Sequence, residues 1–231
     1  EVEKGHTYAS HQALRPEVIK LLGDKALVAE AFASGYRNGQ FILRPETGTY
    51  HPTAQIIMES VVAKRLKVLA ATKDEDEPVF TALTEAVQEL PYDLTEQQLQ
   101  AVESSLTNSV SCITGGAGTG KTTVLRTVLK AYAALGYKVH AVALSGRAAM
   151  RLHESIGFFT MTIARLLREE PISPSLDEPK HLLVIDEASM IDLPTMYRIV
   201  THLDPSVRII LTGDPNQLPA IGCGKVLSDI V

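Results

Sequence analysis

An apolar run, Val110-Ser111-Cys112-Ile113-Thr114, leads into Gly115-Gly116-Ala117-Gly118-Thr119-Gly120-Lys121-Thr122, and a helical pattern begins at Lys121. The octapeptide fits G-x-x-x-x-G-K-[S/T] in full, with the strand before it and the helix after it that the motif requires. Its glycines let backbone N–H groups approach an anion with no side chains in the way. The N-terminus of the following helix adds partial positive charge. Lys121 can reach the β- and γ-phosphates of a nucleotide, the Thr122 hydroxyl can coordinate Mg²⁺, and Ala117, Thr119 and Thr123 belong to the same loop and helix start. Phosphate binding is the first expectation.

Strand and helix patterns continue to alternate. Lys121 to Leu135 places Val124, Val128 and Tyr132 on one helical face and ends at Gly136. Val139 to Leu144 reads as a strand, Gly146 to Ile156 as a helix, and His181 to Ile185 and Val207 to Leu211 as two more apolar strands. Fully apolar strands separated by helices predict a parallel sheet covered on both faces. Glu170 to Lys180, with Pro171, Pro174 and Pro179, reads as a surface loop.

The N-terminal part has a different pattern. Leu14 to Leu22 and Ala26 to Tyr36 read as helices, and Gln40 to Leu43 and Thr49 to His51 as extended segments around the turn-like Arg44-Pro45-Glu46-Thr47-Gly48. Two helices and a hairpin suggest a small, mostly helical, winged-helix-like module. Ala54 to Ala71 reads as a long amphipathic helix with Ile57, Val61, Leu66 and Leu69 among its apolar positions. The charged stretch Lys73-Asp74-Glu75-Asp76-Glu77-Pro78 reads as a solvated domain boundary. The expected division is a module over 1–72, a linker over 73–92 and a nucleotide-binding domain over 93–231.

A second motif supplies acids. Leu182-Leu183-Val184-Ile185 ends in Asp186-Glu187. Downstream of a complete phosphate loop, Asp186 is the expected Mg²⁺ partner and Glu187 the expected base for an attacking water. Composition excludes other classes. Hydrophobic residues at 45% and charged residues at 21% are ordinary for a globular protein. No apolar run is long enough to cross a bilayer, and the start Glu1-Val2-Glu3-Lys4-Gly5-His6 lacks the apolar core of a signal peptide, so no membrane partner and a cytoplasmic location are expected. Cys112 and Cys223 cannot build a disulfide scaffold and read as small buried side chains, and the seven histidines show no metal-ligand spacing. Twenty-two basic against 27 acidic residues give a net charge of −5, which argues against a large autonomous nucleic-acid surface but allows a narrow groove.

Three further segments narrow the class: Leu94-Thr95-Glu96-Gln97-Gln98-Leu99-Gln100-Ala101-Val102, Asp186-Glu187-Ala188-Ser189-Met190, and Ile210-Leu211-Thr212-Gly213-Asp214-Pro215-Asn216-Gln217-Leu218-Pro219. Together with the phosphate loop they resemble the RecD-like branch of superfamily 1 DNA helicases, the group that includes the alpha subunit of exodeoxyribonuclease V. The match runs from about Leu94 to the C-terminus, with a weaker one at Gly5-His6-Thr7-Tyr8. The resemblance implies a RecA-like first motor domain, ATP and Mg²⁺, and hydrolysis coupled to 5′ to 3′ movement on single-stranded DNA. It also implies nuclease or helicase partner subunits and roles in repair and recombination. It makes Gln98 the adenine reader, Gln217 the γ-phosphate sensor, and Ser145 and Arg147 strand contacts.

Thr95 and Gln98 also form a capping box with Leu94 and Leu99 as a staple, so a purely structural Gln98 stays open. Arg147 can equally be an ordinary helix residue, and Tyr8, Tyr36 and Phe41 can pack in a core or stack on bases. The chain departs from the family at Leu144-Ser145, where Pro-Thr is usual, and at Thr162-Ile163-Ala164, where Thr-Ile-His is frequent. A regulatory or scaffold ATPase without unwinding activity is the alternative. A small-molecule kinase fits the Asp-Glu pair and Gln217 poorly, and no guanine-reading Asn-Lys-x-Asp segment occurs. Arg126, Arg147 and Arg151 fall on helices flanking the sheet, and no later segment resembles the family's arginine motif. These 231 residues alone are therefore expected not to unwind DNA.

Overall fold

A computed structural model describes residues 6–73, 76–173, 180–217 and 220–231. Gly5, Asp74-Glu75, Pro174, Pro179 and Leu218-Pro219, all used above, lie outside the described residues.

The centre is a five-stranded parallel sheet of β4 (Val110–Thr114), β5 (Lys138–Ala143), β6 (Thr160–Thr162), β7 (His181–Ile185) and β8 (Arg208–Gly213). The spatial order is β4-β8-β7-β5-β6. The first crossover skips two strand positions, from β4 to β5, and β8 and β7 fill them later. This order places the C-terminal ends of β4, β8 and β7 side by side. Open parallel sheets bind ligands at that edge.

The apolar strand pattern has a direct cause: both faces are covered. On one face Leu182, Val184 and Ile210 share a core with α4 (Glu77–Gln88), α5 (Glu96–Thr107), α6 (Lys121–Ala134) and α7 (Gly146–Ile156). On the other, Leu183, Ile185, Ile209 and Leu211 pack with α3 (Thr53–Ala70), α8 (Ile163–Leu166), α9 (Leu193–Thr201) and α10 (Val226–Ile230). All four residues Leu182 to Ile185 are fully buried. At roughly 1.5–3 kcal/mol per buried large aliphatic side chain, no polar residue is tolerated in this run.

Two expectations are refined. The stretch expected as a linker contains α4, which buries Val79, Ala82 and Ala86 against the same core as the phosphate-loop helix. The charged run hides its start, yet Pro78 in the first turn is itself a helix-start signal. Helix α3 likewise docks on the parallel sheet: Val62 and Leu69 join its core, and the Arg65 guanidinium donates to the carbonyls of Asp204 (2.7 Å), Val207 (3.2 Å) and Pro205.

The N-terminal segment has α1 (His11–Leu22), α2 (Leu27–Arg37), and an antiparallel sheet of β1 (Ala9–Ser10), β3 (Thr49–Pro52) and β2 (Phe41–Arg44), with β3 in the middle. Phe32, Phe41 and Tyr50 form its aromatic centre, with ring centroids 5.0–6.3 Å apart. Phe41 is thus a packing residue, whereas Tyr8, stacked on His51, and Tyr36 remain exposed.

Candidate nucleotide site

The phosphate loop joins the end of β4 to α6. Gly118 (φ 76°) and Gly120 (φ 86°) occupy left-handed backbone that side chains disfavour. At Gly120 a Cβ would also displace the Gln98 carboxamide. Thr119 Oγ1 donates to the Gly116 carbonyl at 2.9 Å, and the Lys121 ammonium donates to the carbonyls of Gly116 (2.7 Å) and Gly115. Lys121 therefore lies folded along the loop that it would help to wrap around a phosphate.

Gln98 approaches from α5. Its Oε1 accepts the Thr95 backbone N–H at 3.0 Å, and the Gln98 N–H donates to Thr95 Oγ1 at 3.3 Å, which completes the capping box. Its Nε2 also donates to the Thr119 carbonyl at 3.2 Å. Cap and phosphate loop are held by one side chain. Thr95, Gln98, Thr119 and Lys121 line a hollow of about 230 Å³ beside the loop.

The acids stand at the end of β7. The Asp186 N–H bonds to the Val142 carbonyl at 2.9 Å, and the buried Thr212 hydroxyl of β8 donates to Asp186 Oδ1. Glu187 is exposed and takes left-handed backbone (φ 54°, ψ 39°), which no other described non-glycine residue does. Such strain, about 1–3 kcal/mol, tends to sit where geometry is functionally demanded. Lys121, Thr122, Asp186, Thr212, Arg151 and Ser155 line a cavity of about 250 Å³. A hydroxyl, a carboxylate and an ammonium around one space suit a Mg²⁺-bound polyphosphate. The donor set fits the implied group.

Other expected residues stand outside this cavity. Gln217 is exposed on the turn after β8, its Nε2 donating to Asp214 Oδ2 at 3.3 Å. The Ser145 hydroxyl accepts the Ala148 N–H at 3.2 Å and caps α7, and Arg147 is exposed in the first turn of that helix. Next to them a groove is lined by Gly146, Met150, His153, Phe159, Thr162 and Arg165. Phe159 is 60% exposed, with the Arg165 guanidinium 5.6 Å from its ring centre. Thr212, Arg151, Ser155 and Phe159 were not assigned from the sequence. The one available signal was helical spacing: Ala148, Leu152 and Ile156 are the buried stripe of α7, which puts Arg151 and Ser155 on its margin.

The sequence pattern of the family described as AAA domain matches residues 93–231. The chain belongs to that family. The RecBCD enzyme subunit RecD of Mycolicibacterium smegmatis is 33% identical over 166 residues, covering 59% of this chain and 30% of that protein. The ATP-dependent RecD2 DNA helicase of Deinococcus radiodurans is 33% identical over 141 residues, 58% of this chain and 19% of that one. The Conjugal transfer protein TraA of Agrobacterium fabrum is 30% identical over 221 residues, 94% of this chain and 19% of that protein, so its likeness extends over the N-terminal segment. The AAA domain described here is thus RecD-like in sequence, and the chain spans less than a third of these relatives' lengths. No helix among the described residues is long and apolar enough to cross a membrane.

Proposed function

We propose that this AAA domain binds Mg-ATP in the cavity at the β4–β8–β7 edge and hydrolyses it to drive 5′ to 3′ movement on single-stranded DNA. The observation that carries the reading is the meeting of Lys121 and Thr122 from the phosphate loop with Asp186 and Thr212 from two neighbouring strands in one cavity. The glycine-rich loop and Lys121 hold the phosphates. Thr122 and Asp186 would hold Mg²⁺, which supplies charge neutralisation at the β- and γ-oxygens when bound. Glu187 orients the attacking water and takes its proton. Gln98 reads the adenine edge, and Gln217, near enough in sequence to the Asp214 turn to move with it, responds to the γ-phosphate.

The strand track runs over Ser145, Arg147 and the groove beside them. An exposed aromatic ring with a guanidinium against it is what base stacking needs, and Phe159 with Arg165 supplies it. Ser145 keeps a hydroxyl hydrogen for a DNA phosphate while it caps α7. We take 1–72 as an accessory module of this motor and RecD-type partner subunits as its setting, with repair or recombination in the cytoplasm as the process served.

The test is ATP turnover with and without single-stranded DNA, using the natural full-length protein. The expected result is turnover stimulated by DNA and lost in Lys121→Ala, with the variant's melting temperature unchanged. Turnover that ignores DNA favours a regulatory ATPase instead. Wild-type turnover by folded Lys121→Ala would sink the phosphate assignment itself.

A further inference from the structure

Arg151 lines the cavity of Lys121, Thr122, Asp186 and Thr212, yet it belongs to none of the motifs that define the site. Its place within the cavity is informative. The hollow on the Gln98 side of the loop is walled by Thr95, Gln98 and Thr119, and Arg151 takes no part in it. Arg151 therefore stands on the side of Thr122 and Asp186, where the metal and the last phosphate belong, and away from the base. Its side chain is exposed, and no hydrogen bond or ion pair engages it among the described residues. Arg65, Arg165 and Arg208 each have partners. Its helix is fixed in place by Leu152 and Ile156 in the core, so the guanidinium is an unengaged cation on a rigid base.

We propose that Arg151 is a nucleotide-binding residue that contacts the γ-phosphate and makes the site prefer the triphosphate to the diphosphate. The proposal rests on the reading of this cavity as the ATP site. A guanidinium is permanently charged, and its planar fork suits phosphate oxygens better than an ammonium does. Lys121 already serves the β- and γ-phosphates from the loop. Arg151, coming from α7, adds a contact that a diphosphate cannot offer. Helix α7 has a second property: its opposite side carries Gly146, Met150 and His153 of the Phe159 groove. One helix thus faces the last phosphate on one side and the proposed strand track on the other. Binding or loss of the γ-phosphate at Arg151 acts directly on the element that starts with Ser145 and Arg147.

The experiment measures affinity of this 231-residue chain for a non-hydrolysable ATP analogue and for ADP, each with Mg²⁺, in wild type, Arg151→Ala, Arg151→Lys and Lys121→Ala. Arg151→Ala is expected to weaken the analogue by about tenfold or more, the range of a charge-assisted hydrogen bond, and to leave ADP within about twofold. Arg151→Lys recovers part of the analogue affinity, which a merely structural arginine would not require. The proposal is overturned if Arg151→Ala lowers analogue and ADP together, if it changes neither, or if wild type shows no preference for the triphosphate. If Lys121→Ala also leaves both affinities intact, the ATP-site reading fails beneath it.

Discussion

At the scale of the residue, Gln98 shows how one side chain serves two ends. One carboxamide N–H and one lone pair are committed, to the Thr119 carbonyl and the Thr95 N–H. A second N–H and a second lone pair remain, the pattern that an adenine edge requires. Gln98→Ala is expected to weaken adenine nucleotides more than inorganic triphosphate, and to lower the melting temperature through the lost return bond of the capping box, worth about 0.5–1.5 kcal/mol. Competition binding by ATP and triphosphate checks this. Equal losses for the two ligands with a lowered melting temperature would leave Gln98 as a cap alone. Glu187 offers a cleaner test, since its left-handed backbone is as open to Gln as to Glu. Glu187→Gln should retain Mg-ATP and slow hydrolysis by about 10²–10⁴-fold, the usual worth of a positioned base. Lost nucleotide binding, read by titration, would make Glu187 a metal or structural residue instead.

At the scale of the element, legibility tracked local physics. The bounds of β4, α7 and β7 were readable because caps, glycines and apolar runs mark them: Ser145 caps α7 and Gly157 closes it at φ 76°. Helix α4 was hidden by its charged approach, and β6, three residues paired only to β5, is too short to show a period. The docking of α3 was invisible, because Arg65 finds its carbonyl partners about 140 residues away. Arg65→Ala is expected to destabilise the chain by about 1–3 kcal/mol and to speed proteolysis between α3 and α4, since three carbonyls lose a charged donor. An unchanged denaturation midpoint and cleavage rate would show that apolar packing alone holds α3. The sheet also carries a pH-sensitive contact. His140 of β5 lies 2.9 Å from His181 of β7, nitrogen to nitrogen. Burial first, then the charges of His181 and Lys138, pull His140 from 6.5 down to about 4, with Glu169 opposing. The folded chain thus prefers neutral His140, and the unfolded chain takes up more protons as pH falls from 6.5 towards 4. Stability should be intact above 6.5 and decline through that window, and His140→Gln should flatten the decline in urea midpoints measured across it. Identical pH slopes for the two proteins would remove His140 as its source.

At the scale of the whole molecule, the loop and the acid pair could be read as a site because each is a local pattern. Their convergence with Thr212 and Arg151 could not, because it depends on β8 entering between β4 and β7 and on which margin of α7 faces the loop. The same architecture bounds what these residues can do. The proposed nucleotide cavity is walled by one parallel sheet and its helices, and the net charge is −5. The resemblance to superfamily 1 enzymes implies a nucleotide held between two RecA-like domains, with a transition-state arginine and half the strand track coming from the second. Such an arginine is worth about 10³–10⁵ in rate, and a strand track needs basic surface that an acidic chain has little of to spare. Arg151, on the same domain as the phosphate loop, is placed to discriminate ground-state ligands and does not close the far side of the cavity. This polypeptide by itself should therefore bind Mg-ATP weakly, turn it over near background and separate no strands. Single-turnover ATPase measurements and an unwinding assay on a 5′-tailed duplex are the check. Robust unwinding by these 231 residues would mean that one sheet, with the N-terminal module or a second copy, completes the motor, and the two-domain account of this chain would fall.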